Sequence, residues 1–243
     1  MADSKDNLPS RTSSTAEIDA FLNKVALTPN VKAPGQGGRL LFAIDATASR
    51  EPTWDLACQI QAEMFRETKE LGGLTVQLAF YRGFGEMKAT QWLDSADALI
   101  ARMVKVRCLA GRTQIGKMLR HALKETSKKK VDALVFVGDV VEEDVDALGD
   151  LAGRLGLSGT PVFIFHEGNE PVSRGVFEQI ARLSGGACSS FDAGSASQLR
   201  ELLTAVAIFA SGGRAALEDF GQRQGGKVPQ LTHQLGRTRP RSG

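Results

Sequence analysis

From about residue 39 to 212 the chain alternates short, apolar, β-rich runs with longer segments whose apolar residues recur at helical spacing. That alternation leaves few folds open. Successive parallel strands need a crossover of a dozen or more residues, usually a helix, so repeated strand–helix units predict an α/β domain with a mainly parallel sheet. The runs place strands at 40–45, 74–81, 88–92, 133–138, 161–165 and 187–190, and helices at 53–71, 95–106, 114–130, 142–156, 172–184 and 196–210. Only "RGFGE" separates the second strand from the third, too little for a crossover, so those two form an antiparallel hairpin and the third lies at an edge. The fold class expected is a doubly wound, six-stranded sheet with one antiparallel edge strand and helices on both faces.

The ends of the chain read differently. The opening "MADSKDNLPSRTSST" is polar, Ile18, Phe21, Leu22 and Val25 then mark a short helix, and "TPNVKAPGQGGR" breaks the pattern with Pro and Gly. The division expected is 1–37 for this segment, helix and linker, 38–212 for the domain, and 213–243 for a flexible basic tail. After Phe220 the tail carries Arg223, Lys227, Arg237, Arg239 and Arg241 and no acid. Five cations without interleaved aromatics are poor readers of a base sequence, so nucleic acid is not the expected partner, and the tail reads instead as an electrostatic tether. No apolar run reaches the roughly 18 residues of a membrane span, and the opening lacks the apolar centre of a signal peptide; the expectation is a cytoplasmic protein. Cys58, Cys108 and Cys188 are odd in number, far apart and without a CxxC or CxxH pair, so a disulfide framework and a zinc site are both disfavoured.

In an open doubly wound sheet ligands bind beyond the carboxyl ends of the strands. There the first run delivers Asp45, Thr47 and Ser49 in "DATAS", the approach to the central helix delivers Thr113 in "GRTQIG", and the fourth run ends at Asp139 in "VFVGD". Two carboxylates and three hydroxyls, without His or Cys, suit a hard cation such as Mg²⁺ or Mn²⁺. Each residue singly reads as well as a helix cap. Together they read as a metal site, because carboxylates closing apolar strands are costly without a charge partner. Phe84, between glycines of the hairpin turn, is either a contact residue of this face or tucked inward. His166 and Glu167 lack a third ligand and read as local hydrogen-bonding groups; Trp54 reads as packing at a helix start. Glu142, Glu143 and Asp144 suit the first turn of a helix, and Lys128, Lys129 and Lys130 its last.

These three segments resemble the metal-ion-dependent adhesion site (MIDAS) of the von Willebrand factor type A (VWA) family, whose pattern is DxSxS, then a distant Thr, then a distant Asp. The likeness spans most of 39–212 and extends to the order of elements, which implies the Rossmann-like VWA fold. "DATASREPTWD", "YRGFGE" and "GRTQIGK" also resemble a bacterial intracellular branch of the family. Carried over, Asp45, Thr47, Ser49, Thr113 and Asp139 are the metal-site residues. Thr47 stands where the family usually has Ser, and Val140 follows Asp139 where Gly is frequent.

The resemblance implies binding without catalysis: a Mg²⁺ (or Mn²⁺) ion with an open position for an Asp or Glu carboxylate of a protein partner, no catalytic residue and no small-molecule substrate. The alternative is a Mg²⁺-dependent phosphatase of haloacid-dehalogenase type, which also places an Asp after its first strand. Its motif is DxDxT or DxDxV, and Thr47 occupies the place of the second Asp, the general acid, worth about 10²- to 10⁴-fold where such catalysis operates. Neither GxGxxG nor GxxxxGK[ST] follows the first strand, which disfavours a nucleotide site.

Overall fold

β1 (Gly38–Asp45), β4 (Ala133–Gly138) and β5 (Val162–Glu167) are apolar runs buried along nearly their whole length, as parallel strands covered on both faces are. In the computed structural model, which describes residues 15–28, 37–51, 73–168, 170–191 and 196–223, they form the centre of a six-stranded sheet ordered β3-β2-β1-β4-β5-β6. β2 (Leu74–Arg82), β3 (Glu86–Ala89) and β6 (Cys188–Phe191) complete it. Every neighbouring pair is parallel except the β2–β3 hairpin.

Because side chains alternate across a strand, β1 feeds two cores. Leu40, Phe42 and Ile44 pack with α1 (Thr15–Leu27), α2 (Ala96–Met103) and α6 (Ala196–Arg223), whereas Leu41 and Ala43 pack with α3 (Ile115–Lys128), α4 (Val145–Leu157) and α5 (Pro171–Ser184). The helix read near the amino terminus is built into the first of these cores. Phe21, Leu22, Val25 and Ala26 are all buried, and the Phe21 ring lies 5.4 Å from that of Phe165 and 6.1 Å from that of Phe163.

Several boundaries differ from the sequence reading by one to three residues, and three differences stand out. The third strand, expected at 88–92, pairs only over Glu86–Ala89, because the Thr90 hydroxyl, 3.1 Å away, accepts the Leu78 N–H; Leu93 returns as an isolated bridge to Val76. α4 starts at Val145 rather than 142, since Asp144 accepts the Ala147 N–H at 2.8 Å and caps it there. The last helix, expected to stop at 210, breaks at Gly213, whose φ of 67° is not helical, and a second helical stretch follows to Arg223, with Ala216 still packed on the core. The helix read at 53–71, Trp54, Cys58 and the chain beyond 223 lie outside the described residues. Among the described residues no helix is long and apolar enough to cross a membrane.

A polar cluster closes the end of the sheet opposite the strands' carboxyl termini. Trp92 Nε1–H donates to Glu125 at 2.8 Å, the Arg39 guanidinium stacks 3.7 Å from the Trp92 ring centre, and His121 Nε2 bonds Gln77 Oε1 at 2.8 Å. Burial pushes the His121 imidazole below its ordinary pKa, more than the Glu125 carboxylate raises it. As pH falls through about 6.5 the unfolded chain therefore takes up this proton before the folded one, and stability declines on the acid side. Urea midpoints are expected to be level above neutrality and to drop below it. His121→Gln should flatten that slope only in part, because His166 is shifted the same way, again chiefly by burial.

Candidate metal centre

After β1 the chain runs out to β2 and β3 on one side and then crosses back to β4 on the other, so the carboxyl ends of β1 and β4 flank the point where the strand order reverses. Asp45 is the last residue of β1, and Asp139 directly follows β4. Thr47 and Ser49 lie on the turn leaving β1, in and beside a short 3₁₀ turn (Ala48–Arg50), and Thr113 lies just before α3. All five residues line one open cleft of about 320 Å³, with Ala110, Gly111, Val140 and Glu142. The Thr47 and Ser49 hydroxyls are 3.1 Å apart. The elements far apart in sequence meet here because the parallel register puts the ends of β1 and β4 level: Ile44 pairs with Val137, which leaves Asp45 beside Gly138. A Cβ on Gly138 would stand 2.8 Å from the Phe136 ring, so only glycine fits beside that ring at the end of β4.

Asp45 is wholly buried. Its carboxylate accepts the Thr47 N–H at 2.7 Å and the Tyr81 hydroxyl at 2.9 Å. Burial raises its pKa, the Thr47 and Tyr81 hydrogen bonds oppose that rise, and the Asp139 carboxylate adds to it. No Lys, Arg or His forms an ion pair with either carboxylate among the described residues. Also among them, no three His, Cys, Asp or Glu side chains gather at one point, so any cation here would depend on the three hydroxyls as well as the two acids. A buried acid beside a second one, facing oxygen-only neighbours in an open cleft, fits a hard divalent cation: the charge supplies what the site lacks, and the donor set is the one such ions take.

The sequence matches no family model and no curated protein. Solved structures share its architecture. The SpRpn10 VWA domain superposes with a TM-score of 0.54 at 13% identity, over 73% of this chain and 97% of that one. The chain has a VWA-like fold. An aerotolerance-related membrane protein of Bacteroides fragilis aligns with a TM-score of 0.51 at 14% identity, over 67% of this chain and 96% of that one. Proximal thread matrix protein 1 from the mussel byssus, solved with a zinc-occupied MIDAS motif, gives 0.56 at 14% identity, over 70% of this chain and 46% of that one.

In this VWA-like fold four groups that the motif does not name brace the site, three of them bonded to Asp45, Thr113 and Asp139. Tyr81, the only tyrosine of the chain, is fully buried beside Asp45; its signal was the alternation of β2, which puts position 81 on the face of Ala79. The Glu142 carboxylate accepts the Thr113 N–H at 2.9 Å, while the Thr113 hydroxyl accepts the Glu142 N–H at 3.1 Å. Glu143 accepts from Ile115 N–H and, at 2.9 Å, from Gly116 N–H. The two acids read as belonging to the first turn of α4 thus serve the start of α3, where free N–H groups and the helix dipole favour negative charge. They clamp the loop after β4 to the residue carrying Thr113. His166 is buried and bonds the Asp139 carbonyl at 2.9 Å through Nε2, which must be the protonated nitrogen. The reading of His166 as a local hydrogen-bonding group describes this contact, and its partner is the residue that ends the site.

Proposed function

We propose that this VWA-like domain is a metal-dependent protein-interaction module. Asp45, Thr47, Ser49, Thr113 and Asp139 hold a Mg²⁺ or Mn²⁺ ion, and the ion takes a carboxylate from an Asp or Glu of a partner protein. One observation carries the reading: a fully buried Asp45, with Asp139 and three hydroxyls, lines an open cleft in which no side-chain cation among the described residues pairs with either acid. When bound, the ion supplies residual positive charge and an exchangeable water position, enough to capture a carboxylate without any protein nucleophile. The chain's own groups keep the site ready: Tyr81 and the Thr47 N–H hold the Asp45 oxygens, Glu142 holds Thr113, and His166 holds the Asp139 carbonyl. The zinc-occupied MIDAS motif of a byssal protein with this fold supports a divalent ion at the corresponding place. The likeness of "DATASREPTWD" to a bacterial intracellular branch supports action inside the cell.

The same reading makes the protein a binder rather than an enzyme. Titration calorimetry of MgCl₂ and MnCl₂ into the full chain should show one saturable site, and p-nitrophenyl phosphate should not turn over above background with either ion present. Phosphate release that depends on Asp45 would favour the phosphatase instead. Absence of any ion binding would reduce "DATAS" to a polar turn.

A further inference from the structure

The rim of the cleft is not neutral, and its two walls differ. On the α4 side stand Glu142, Glu143 and Asp144, engaged in capping. On the opposite side, the loop before α3 carries Arg107 and Arg112 and, between them, no acid. Arg107 and Arg112 are exposed, and among the described residues neither side chain forms an ion pair. They lie on the loop that supplies Ala110 and Gly111 to the cleft.

This loop is locked to the β2–β3 hairpin. Arg112 N–H donates to the Gly83 carbonyl at 3.1 Å, Arg82 donates to the Arg107 carbonyl at 2.7 Å, and Lys117 reaches the Gly85 carbonyl at 2.9 Å. The fit is close enough that a Cβ on Gly111 would fall 2.1 Å from the Gly83 oxygen. Fixed on that base, Phe84 stands 84% exposed at the hairpin tip, with Leu109 at 45% on the neighbouring loop and Val140 at 38% across the cleft. A large apolar side chain exposed on a hydrogen-bonded turn near a cleft, with cations beside it that pair with no acid among the described residues, has the composition of an interface centre with a charged rim.

We infer that this rim reads the residues around the metal-bound carboxylate, and that the occupant is an acidic segment of a partner protein. One acid enters the cleft, an adjacent large apolar residue packs on Phe84 and Leu109, and further Asp or Glu residues lie along Arg107 and Arg112, away from the acidic α4 wall. This rests on the proposed function and adds the sequence class of the partner to it.

The test uses the full chain and a phage-displayed random dodecapeptide library panned in Mg²⁺. Selected peptides are expected to combine several acids with a large apolar residue next to one of them. Phe84→Ser, and Arg107→Gln combined with Arg112→Gln, should each weaken the best peptide by about tenfold or more, with Mg²⁺ affinity changed by less than about threefold, since none of the three side chains is a ligand. Peptides that bind these variants as tightly as the wild type, or that are enriched for apolar or basic sequence without acids, overturn the inference. So does a library yielding nothing above background. Peptides that survive EDTA and Asp45→Asn but lose binding to the rim variants would keep the rim and remove the metal. Peptides lost with EDTA but indifferent to the rim would do the reverse.

Discussion

Asp45→Asn is expected to weaken divalent-ion binding severely and leave the fold standing. Asparagine has the shape of the aspartate, its Oδ1 can still accept the Thr47 N–H, and its Nδ2 can donate to the Tyr81 hydroxyl in place of the bond that Asp45 accepts at 2.9 Å. What disappears is the charge. Ion affinity should fall about 100-fold or more, beyond the roughly 10–100-fold typical of losing a ligand's outer hydrogen-bond partner. Burial already disfavours the Asp45 anion, and Asp139 adds to that, so without metal the variant should unfold at the same temperature as the wild type or higher. Calorimetric melting separates the outcomes. Mg²⁺ at 100 times the wild-type Kd should stabilise the wild type by about 2.7 kcal/mol and the variant by about 0.4 kcal/mol or less. Asp45→Ala is a poorer probe, because it leaves the buried Tyr81 hydroxyl and the Thr47 N–H without an acceptor, at about 1–3 kcal/mol each. If Asp45→Asn destabilised the metal-free protein by several kcal/mol while Mg²⁺ moved neither melting point, the carboxylate would be a structural anchor and the metal reading would fail.

Phe21→Ala carries the largest expected cost to stability, about 3–5 kcal/mol. The ring is 1% exposed and meets both Phe163 and Phe165, so its removal leaves a cavity between α1 and the β5 region rather than a dent at the surface. At this chain length each kcal/mol lowers the melting temperature by about 2–4 °C, which predicts a fall on the order of 6–20 °C. A chain beginning at residue 38 should fare worse. It would uncover the face on which Phe21, Leu22, Val25 and Ala26 pack against the central strands and α6, and loss of solubility is the expected readout. A truncation that melts like the full chain would show instead that α1 is dispensable packing.

Much of this arrangement was legible in the sequence because it depends on local periodicity. The five parallel strands announce themselves as apolar runs, and the hairpin follows from the shortness of "RGFGE". The set of oxygen side chains at the strand ends was visible as well, since Asp45, Thr47 and Ser49 are neighbours, and Thr113 and Asp139 mark predictable helix and strand ends. Less was legible where one segment acts on another. Glu142 and Glu143 look like acids of their own helix by position, yet they serve α3, twenty-seven residues or more away in the chain. Phe84 between glycines was equally compatible with a tucked ring, and its exposure depends on how tightly Gly111 and Gly83 close beneath it.

By itself, then, the sequence determined the α/β class, the strand set and which oxygen side chains stand at the strand ends, because spacing of side chains along one segment decides which face each occupies. Tertiary structure alone decided that α1 completes the core, that a helical stretch resumes beyond Gly213, that Tyr81 and His166 brace Asp45 and Asp139, and that cations and an exposed phenylalanine stand near one side of the cleft. Those facts depend on strand order and register, which bring residues from β1, β2, β4 and β5 to one edge of the sheet. No local pattern encodes such a meeting; it exists only once the segments have packed.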